Sequence, residues 1–149
     1  MQLSKYTDYS LRALMYLALT PDKRRSQIRQ ICEAYGASHN HMVKVVGNLA
    51  RLGYVQTIRG KSGGIVLARN PLDISVGKVV RESEYTFRAV DCEQPVCPLS
   101  GYCSLPGMFQ MAVEAYLKVL ENYSLQDLLQ NPGAMAQTLG LSAVARFPD

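Results

Sequence analysis

The chain has three closely spaced cysteines, Cys92, Cys97 and Cys103, in the run DCEQPVCPLSGYCSLPG. Thiols clustered in this way usually bind a metal or exchange electrons when the compartment keeps them reduced. Their C-x4-C-x5-C spacing differs from the C-x2-C pairs of structural zinc sites, and a fourth Cys or His is missing nearby. Three thiolates suit a cubane iron–sulfur cluster, because one iron of the cluster can take a different ligand.

Other thiol chemistry is compatible with the same residues. A zinc-bound or thiol-redox site would use the same three side chains, whereas two disulfides would need an oxidising compartment. The N-terminal residues do not resemble a cleavable targeting segment, and no apolar run approaches the roughly 18 residues that span a bilayer. A cytoplasmic location without a membrane partner is therefore expected. The fourth cysteine, Cys32, is better explained as a buried residue on a helix.

The segment before the cysteines is predicted to be helical. Apolar residues at helical spacing indicate a first helix that begins at Thr7 or Asp8 and ends near Leu19. Two shorter helices follow, and each has a serine that can cap its start, Ser26 and Ser38. Because only a short glycine-containing turn separates these two helices, they are typical of a helix-turn-helix.

A predicted β-hairpin follows the second of these helices directly. Residues 54–58 alternate as a strand, residues 59–64 form a glycine-rich turn, and residues 65–68 return as a second strand. A hairpin in this position is the wing of a winged helix. The fold class is therefore predicted to be mainly α with a small β-hairpin wing, in a winged helix-turn-helix DNA-binding domain joined to a long dimerisation helix.

The charge distribution favours the same class of partner. Residues 1–70 carry 11 Lys and Arg against 3 Asp and Glu, a net charge of +8, whereas residues 71–149 carry 5 against 9, a net charge of −4. A basic half joined to an acidic half indicates a module for a polyanion beside a module for sensing or assembly. The candidate DNA-binding residues are side chains at the start of the recognition helix and at the wing tip: Ser38, His39, Asn40, His41, Lys44, Arg59 and Lys61.

The acidic half contains the three clustered cysteines and is also expected to form a dimer contact. An amphipathic helix begins near Pro106 and reaches about Asn122, with an apolar stripe too wide for a lone surface helix. Pairing with a second copy would cover it, so a homodimer on a palindromic double-stranded DNA operator is expected. The predicted regions are a DNA-binding domain, residues 1–72, a cluster-binding and dimerisation region, residues 73–130, and a weakly patterned tail, residues 131–149.

Four segments carry a family resemblance: the opening MQLSKYTDYSLRALMYLA, the helix SHNHMVKVVGNLARLGYV, the wing IRGKSGGIVLA and the C-x4-C-x5-C loop. Together they closely resemble the NsrR family of nitric-oxide-sensing repressors, within the winged-helix family that also contains IscR. The resemblance covers about residues 1–130. It implies a homodimeric iron–sulfur repressor that releases its operator when nitric oxide nitrosylates a [4Fe-4S] cluster.

The resemblance also implies a ligand set for the cluster. In this family the three cysteines bind the cluster, and an aspartate near the start of the first helix of the other subunit completes it, which corresponds to Asp8 of the partner subunit. Asp8 also has an ordinary interpretation as a carboxylate in the first turn of a helix. IscR-type [2Fe-2S] sites use a histidine beyond the third cysteine, and this chain has none after His41, so a [2Fe-2S] cluster is kept only as the alternative.

Two other classes of function are alternatives to this hypothesis. A winged-helix regulator could sense redox state, oxygen or iron supply through a cluster, or could use zinc or thiols instead. An enzyme or electron carrier is disfavoured, because no nucleophile–base set or phosphate loop is visible and the glycines of residues 60–64 lie on a hairpin.

Overall fold

The computed structural model describes residues 2–21 and 24–141, which form six α-helices and one β-hairpin. The prediction of a mainly α fold with a small hairpin wing is confirmed. Two short 3-10 turns, Pro71–Asp73 and Gln126–Leu128, complete the described elements. In chain order the helices and strands are α1 Lys5–Leu19, α2 Ile28–Tyr35, α3 His39–Arg51, β1 Val55–Ile58, β2 Gly64–Leu67, α4 Val76–Ser83, α5 Leu105–Glu121 and α6 Pro132–Thr138.

Two helix starts differ from those expected from the sequence. α1 is capped by Ser4, whose hydroxyl accepts a hydrogen bond from the Thr7 N–H at 3.2 Å, so Thr7 and Asp8 lie inside its first turn. Ser26 does not cap α2, because its backbone is bonded in both directions to Ile65 of the hairpin. Gln27 takes the cap position of α2 instead. In both cases a contact distant in sequence decides between two plausible local caps.

The hairpin wing is braced by the segment that leads into α2. β1 and β2 pair antiparallel, from Val55 opposite Leu67 to Ile58 opposite Gly64. The Gln27 side-chain amide donates to the Gly63 carbonyl at 2.6 Å, and the Arg25 guanidinium donates to the Ser62 carbonyl. Residue 63 must be glycine here, because a Cβ would lie 2.4 Å from the Ile58 carbonyl oxygen. The turn of the wing is thus hydrogen-bonded to the segment that precedes α2.

One main hydrophobic core joins both halves of the chain. α1 contributes fully buried residues such as Leu14 and Leu19, and α3 contributes Met42 and Leu49. Residues far along the sequence enter the same core, namely Ile74, Val79, Leu125 and Leu129. A second, smaller cluster of Val80, Val113 and Leu117 packs α4 against α5. The main core therefore contains residues from both sides of residue 72, the predicted end of the DNA-binding domain.

Helices α4 and α5 approach each other closely. Gly77 of α4 is buried against α5, and Arg81 forms ion pairs with Glu114 and Glu121 of α5, each at 3.0 Å. These ion pairs are exposed to solvent, which screens them, so they contribute little to stability. Contact at the glycine sets the distance between the two helices.

A further helix lies where the sequence pattern is weak. Asn131 caps α6 by accepting a hydrogen bond from the Ala134 N–H at 3.3 Å, and Ala136 is fully buried. Met135, Leu139 and Leu141 pack against the main core, and α6 contacts α1. Part of the predicted tail therefore belongs to the folded body, while residues 142–149 lie outside the described residues.

We expect Gly77→Ala to destabilise the protein by about 1–3 kcal/mol, the usual cost of overpacking a core. A Cβ at this position would lie 2.5 Å from the backbone nitrogen of Glu121, so α4 and α5 would have to move apart. The matched control is Gly47→Ala on α3, where a Cβ meets no atom within 4 Å. That change should stabilise by up to about 1 kcal/mol, because alanine favours helix. Urea unfolding of the reduced, metal-free variants measures both changes, and equal midpoints would contradict the prediction.

Candidate functional site

The third helix presents the predicted DNA-reading residues to solvent. Its buried face consists of Met42, Val45, Val46 and Leu49, which fix its orientation in the core. The predicted residues lie on the exposed side of this helix and at its start: Ser38, His39, Asn40, His41 and Lys44. Ser38 is the cap residue, but its side chain makes no capping hydrogen bond in the described structure, so its hydroxyl can serve a ligand.

Two exposed residues of this surface, Val43 and Gly47, are not among the DNA-binding residues predicted from the sequence. Val43 is 43% exposed and lies between the predicted residues His41 and Lys44. Gly47, one turn further along, is exposed as well, and it allows close approach of a ligand because it has no side chain. Neither residue is polar or charged, but their helical spacing from Asn40 places both on the same face of α3.

The wing carries two of the predicted basic residues. Arg59 and Lys61 are exposed in the turn between β1 and β2. The base of that turn is held by Arg25 and Gln27, whose side chains donate to its carbonyl groups. The cationic tip is thus carried by a supported hairpin beside the exposed face of α3. This arrangement can contact phosphates and bases of a duplex.

The N-terminal helix supports the recognition helix from behind. The Tyr6 hydroxyl of α1 donates a hydrogen bond to the Lys44 carbonyl of α3 at 3.2 Å. Burial raises the pKa of Tyr6, and nearby Arg51 opposes that shift, so this hydroxyl keeps its proton at neutral pH. A displacement of the start of α1 would therefore act directly on the middle of α3.

The three predicted ligand cysteines share one irregular loop between α4 and α5. Cys92 and Cys97 are partly buried, Cys103 is exposed, and all three are free thiols. The Cys97 N–H donates to the Cys92 carbonyl at 3.0 Å, and the Leu105 N–H donates to the Cys103 sulfur at 3.4 Å. These two bonds hold the backbone at Cys92 and Cys97 together and give the Cys103 sulfur a backbone donor.

A carboxylate turn orders the first part of this loop. The Asp91 side chain accepts hydrogen bonds from the N–H groups of Glu93 at 2.9 Å and Gln94 at 3.2 Å. These two bonds are the main reason that the pKa of Asp91 lies below its ordinary value. Arg88 also pairs with Glu93 at 3.1 Å. The backbone around Cys92 is thus fixed by local contacts rather than by burial.

Within one chain, Asp8 lies apart from the cysteines. Its carboxylate is 41% exposed and pairs with the Arg12 guanidinium at 2.8 Å, one turn along α1. Arg12 in turn lies over the Tyr35 ring, 5.6 Å from its centre. Among residues 2–21 and 24–141, no three His, Cys, Asp or Glu side chains form a group that could hold a metal ion. The fold gathers the cysteines in one loop but does not assemble the predicted ligand set in one subunit.

The fourth cysteine has a different environment. Cys32 is buried on α2, as the sequence predicts, and burial is the main reason that the pKa of its thiol is raised. A raised pKa leaves little thiolate at neutral pH, so Cys32 is a poor nucleophile and a poor ligand.

The fifth helix leaves an apolar face uncovered. Val113 and Leu117 are buried against α4, but the opposite side of the helix exposes Met111 (69%) and Val119 (56%). Met108, Ala112 and Ala115 are also exposed, at spacings of three or four residues. The expected apolar stripe is therefore real, and in the single chain much of it faces solvent.

We expect alkylation to separate the cysteines by environment. In the reduced, metal-free protein, iodoacetamide should modify Cys92, Cys97 and Cys103 readily, whereas Cys32 should react only after the fold opens, because its thiol is buried with a raised pKa. Peptide mass spectrometry over time measures the four rates. Modification of Cys32 as fast as Cys103 would contradict this prediction.

The sequence matches the model of a known family over most of its length. Residues 3–131 match Rrf2, described as an iron-dependent transcriptional regulator. The regulator NsrR of Halalkalibacterium halodurans is 44% identical over 144 residues, which cover 95% of this chain and 99% of that protein. The regulator NsrR of Bacillus subtilis strain 168 is 46% identical over 134 residues, covering 88% and 92% of the two chains.

Solved structures show the same fold at lower identity. The global cysteine regulator CymR of B. subtilis superposes with a TM-score of 0.69 at 24% identity, covering 86% of this chain and 95% of that one. IscR of T. potens superposes with a TM-score of 0.71 at 24% identity, covering 90% of each chain. In the described part of the chain, no helix is long and apolar enough to cross a membrane.

The expected resemblance to NsrR proteins is confirmed by these similarities. They also make the protein a transcriptional regulator rather than an enzyme. The chain belongs to the Rrf2 family of iron-dependent transcriptional regulators.

Proposed function

We propose that the protein is a nitric-oxide-responsive repressor that binds a palindromic operator as a homodimer. The observation that carries this proposal is its 44–46% identity to NsrR regulators over about nine-tenths of the chain, together with three free thiols in one loop. The exposed face of α3 and the wing tip provide the contacts to DNA. The cysteine loop provides the site for the signal.

The residues present fit an iron–sulfur cluster. The three loop thiols are the right donors, because cysteine sulfurs are the usual ligands of such clusters, and all three are free and at least partly exposed. Cys32 is buried in the core and is not part of the set. We assign the fourth position of a [4Fe-4S] cluster to Asp8 of the partner subunit. When bound, the cluster supplies iron that reacts with nitric oxide.

For that role Asp8 would have to exchange its present partner. Its carboxylate is partly exposed and is bound by a single ion pair with Arg12, which contributes at most about 1 kcal/mol at such a surface. The cost of releasing it is therefore small. Arg12 would keep its contact with the Tyr35 ring, where a cation is attracted to the aromatic face.

We assign the dimer contact to the uncovered face of α5. Its exposed apolar residues recur every three or four positions along the helix, which suits pairing with a second, antiparallel or crossed copy. Several of them are large, including Met108, Met111 and Val119. Burying them removes the largest exposed apolar patch of this helix from water. A dimer would also hold two recognition helices at a fixed separation, as a palindromic operator requires.

The coupling needed between the loop and the DNA-reading face is modest. A free energy of about 1–3 kcal/mol changes operator affinity by roughly 5–150-fold. Both sites act on the same body, because α1 contacts α3 and α4 and shares their core. Release of the loop in each subunit would change the position of α1 against α3, and with it the fit of the dimer to its operator.

We expect Asn40→Ala to cost about 1–3 kcal/mol of operator affinity and to relax the preference at one base pair, because Asn can bind adenine with two hydrogen bonds. Lys61→Ala should weaken binding to all sequences and reduce the slope of log affinity against log salt by about 1. Lys78→Ala on α4 removes the same charge outside this surface and serves as the control. Fluorescence anisotropy with a duplex selected from a random pool measures all three.

Base reading by Asn40 and phosphate contact by Lys61 differ in which duplexes lose affinity when the residue is changed. An Asn40→Ala protein that loses equal affinity for selected and unrelated duplexes would contradict base reading by this residue. A Lys78→Ala effect as large as that of Lys61→Ala would contradict the assignment of the wing to DNA.

We expect Cys97→Ala to abolish iron retention after anaerobic reconstitution, because the cluster would lose one of three thiolates. The visible absorbance should disappear, and operator binding should no longer respond to nitric oxide. Cys32→Ala is the matched control, because it removes a thiol outside the loop and should leave both properties intact.

Three results would overturn parts of the proposal. A wild-type protein that stays colourless and binds stoichiometric zinc would contradict the cluster. Bleaching by nitric oxide without operator release would contradict nitric oxide as the signal. A monomer in sedimentation at micromolar concentration, with and without iron, would contradict the homodimer.

A further inference from the structure

One carboxylate joins the start of the cysteine loop to the start of α1. Glu84 directly follows α4 and caps its end, where the Glu84 N–H donates to the Val80 carbonyl at 2.9 Å. Its side chain accepts hydrogen bonds from the Ser4 N–H at 3.2 and 3.3 Å and from the Ser4 hydroxyl at 3.0 Å. The buried Thr7 hydroxyl donates to the same carboxylate. Three donors from one helix end thus converge on one side chain 77 to 80 residues away.

This contact does more than complete a helix cap. The Ser4 hydroxyl already caps α1 by accepting from the Thr7 N–H, so the helix end is satisfied locally. Glu84 adds a negative charge at the positive end of the helix dipole, which strengthens the attachment. Its own position is set by α4, which Arg81 fixes to α5. The start of α1 is therefore attached to the element from which the cysteine loop departs.

The attached helix end leads to both functional surfaces. Asp8 lies in the first turn of α1, directly after Thr7. Tyr6, on the same turn, donates its hydroxyl hydrogen bond to the Lys44 carbonyl in the recognition helix. One turn of helix, held by Glu84, thus carries the proposed cluster ligand and the brace of the DNA-reading helix.

We propose that Glu84 is a positioning residue that transmits the state of the cysteine loop to the recognition helix through Ser4 and Thr7. The inference rests on the proposed function, because it presupposes that the loop binds a cluster and that the cluster alters DNA binding. Glu84 is not a cluster ligand in this scheme. Its role is to keep the first turn of α1 aligned with α4, so that a displacement of the loop reaches α3.

The test compares operator affinity with and without the cluster. For wild type and Glu84→Ala, anisotropy with the selected duplex gives two dissociation constants. The ratio used here is that of the cluster-free protein divided by that of the cluster-bound protein. We expect the ratio to fall by about 2- to 30-fold in Glu84→Ala, the range for a residue that modulates coupling between sites. Visible absorbance should stay at the wild-type level, because no ligand is removed. Glu84→Gln, which keeps one acceptor oxygen, should restore part of the ratio.

A second readout does not depend on the cluster. In the cluster-free protein, hydrogen exchange at the Thr7 and Asp8 amides should become faster in Glu84→Ala, because the end of α1 loses its attachment. Thr7→Val removes only the buried hydroxyl that donates to Glu84 and should lower the ratio by a smaller factor. This variant tests the inference even if Glu84→Ala fails to fold.

Asp127→Ala is the matched control. The Asp127 carboxylate also accepts from the N–H and the hydroxyl of one serine, Ser124, each at 2.7 Å, but it lies after α5 and away from the start of α1. It should leave the ratio unchanged. A wild-type ratio of one would contradict the proposed function and the inference together. A wild-type ratio well above one that is preserved in Glu84→Ala and Thr7→Val would overturn the inference alone.

Discussion

Burial of α1 is the constraint on which the other elements depend. Eight of its fifteen residues are buried, and it contacts α2, α3, β2, α4 and α6. Leu14, Leu17 and Leu19 alone stabilise the fold by about 1.5–3 kcal/mol each. The helix therefore has one position in the molecule, and the helix-turn-helix, the wing and the C-terminal helices are arranged around it. The polar contacts at its start adjust this position but could not create it.

A shared core has a functional consequence for the predicted regions. Ile74, Leu125 and Leu129 pack in the same cluster as the helices of the DNA-binding half. The second cluster, of α4 and α5, adjoins α1 through Leu3 and Leu11. A packed interior transmits displacement because its side chains have few alternative arrangements. A displacement of the loop between α4 and α5 can thus reach α3 without any separate moving domain.

The surfaces left outside this core differ in chemistry and suit different partners. The exposed side of α3 and the wing are polar and basic, which suits the edges and phosphates of DNA. The outer face of α5 is apolar, which suits a second copy of a similar face. The cysteine loop has little buried area and is ordered by backbone hydrogen bonds, by the Asp91 carboxylate and by the Arg88–Glu93 ion pair. Such a loop can change with its ligand while the body of the protein stays folded.

The sequence by itself determined the elements whose signals are local. Helical periodicity defined α1, α3 and α5, and Gly36 after α2 adopts the left-handed conformation expected at a helix end, with φ of 60°. The alternating residues and glycines after α3 determined the wing, and the short spacing of the cysteines determined that they share one loop. Residues in each of these patterns interact within a few positions, so their chemistry can be inferred without the fold.

Only the tertiary structure decided contacts between residues distant along the chain. Thr7 and Ser26 looked like helix caps, but Thr7 is bonded to Glu84 and Ser26 is paired with Ile65. The helix α6 has too few apolar residues to be recognised alone, and it is stabilised by packing of Ala136 and its neighbours on the main core. In each case the deciding partner lies outside the local window, where sequence patterns carry no information about which residues will meet.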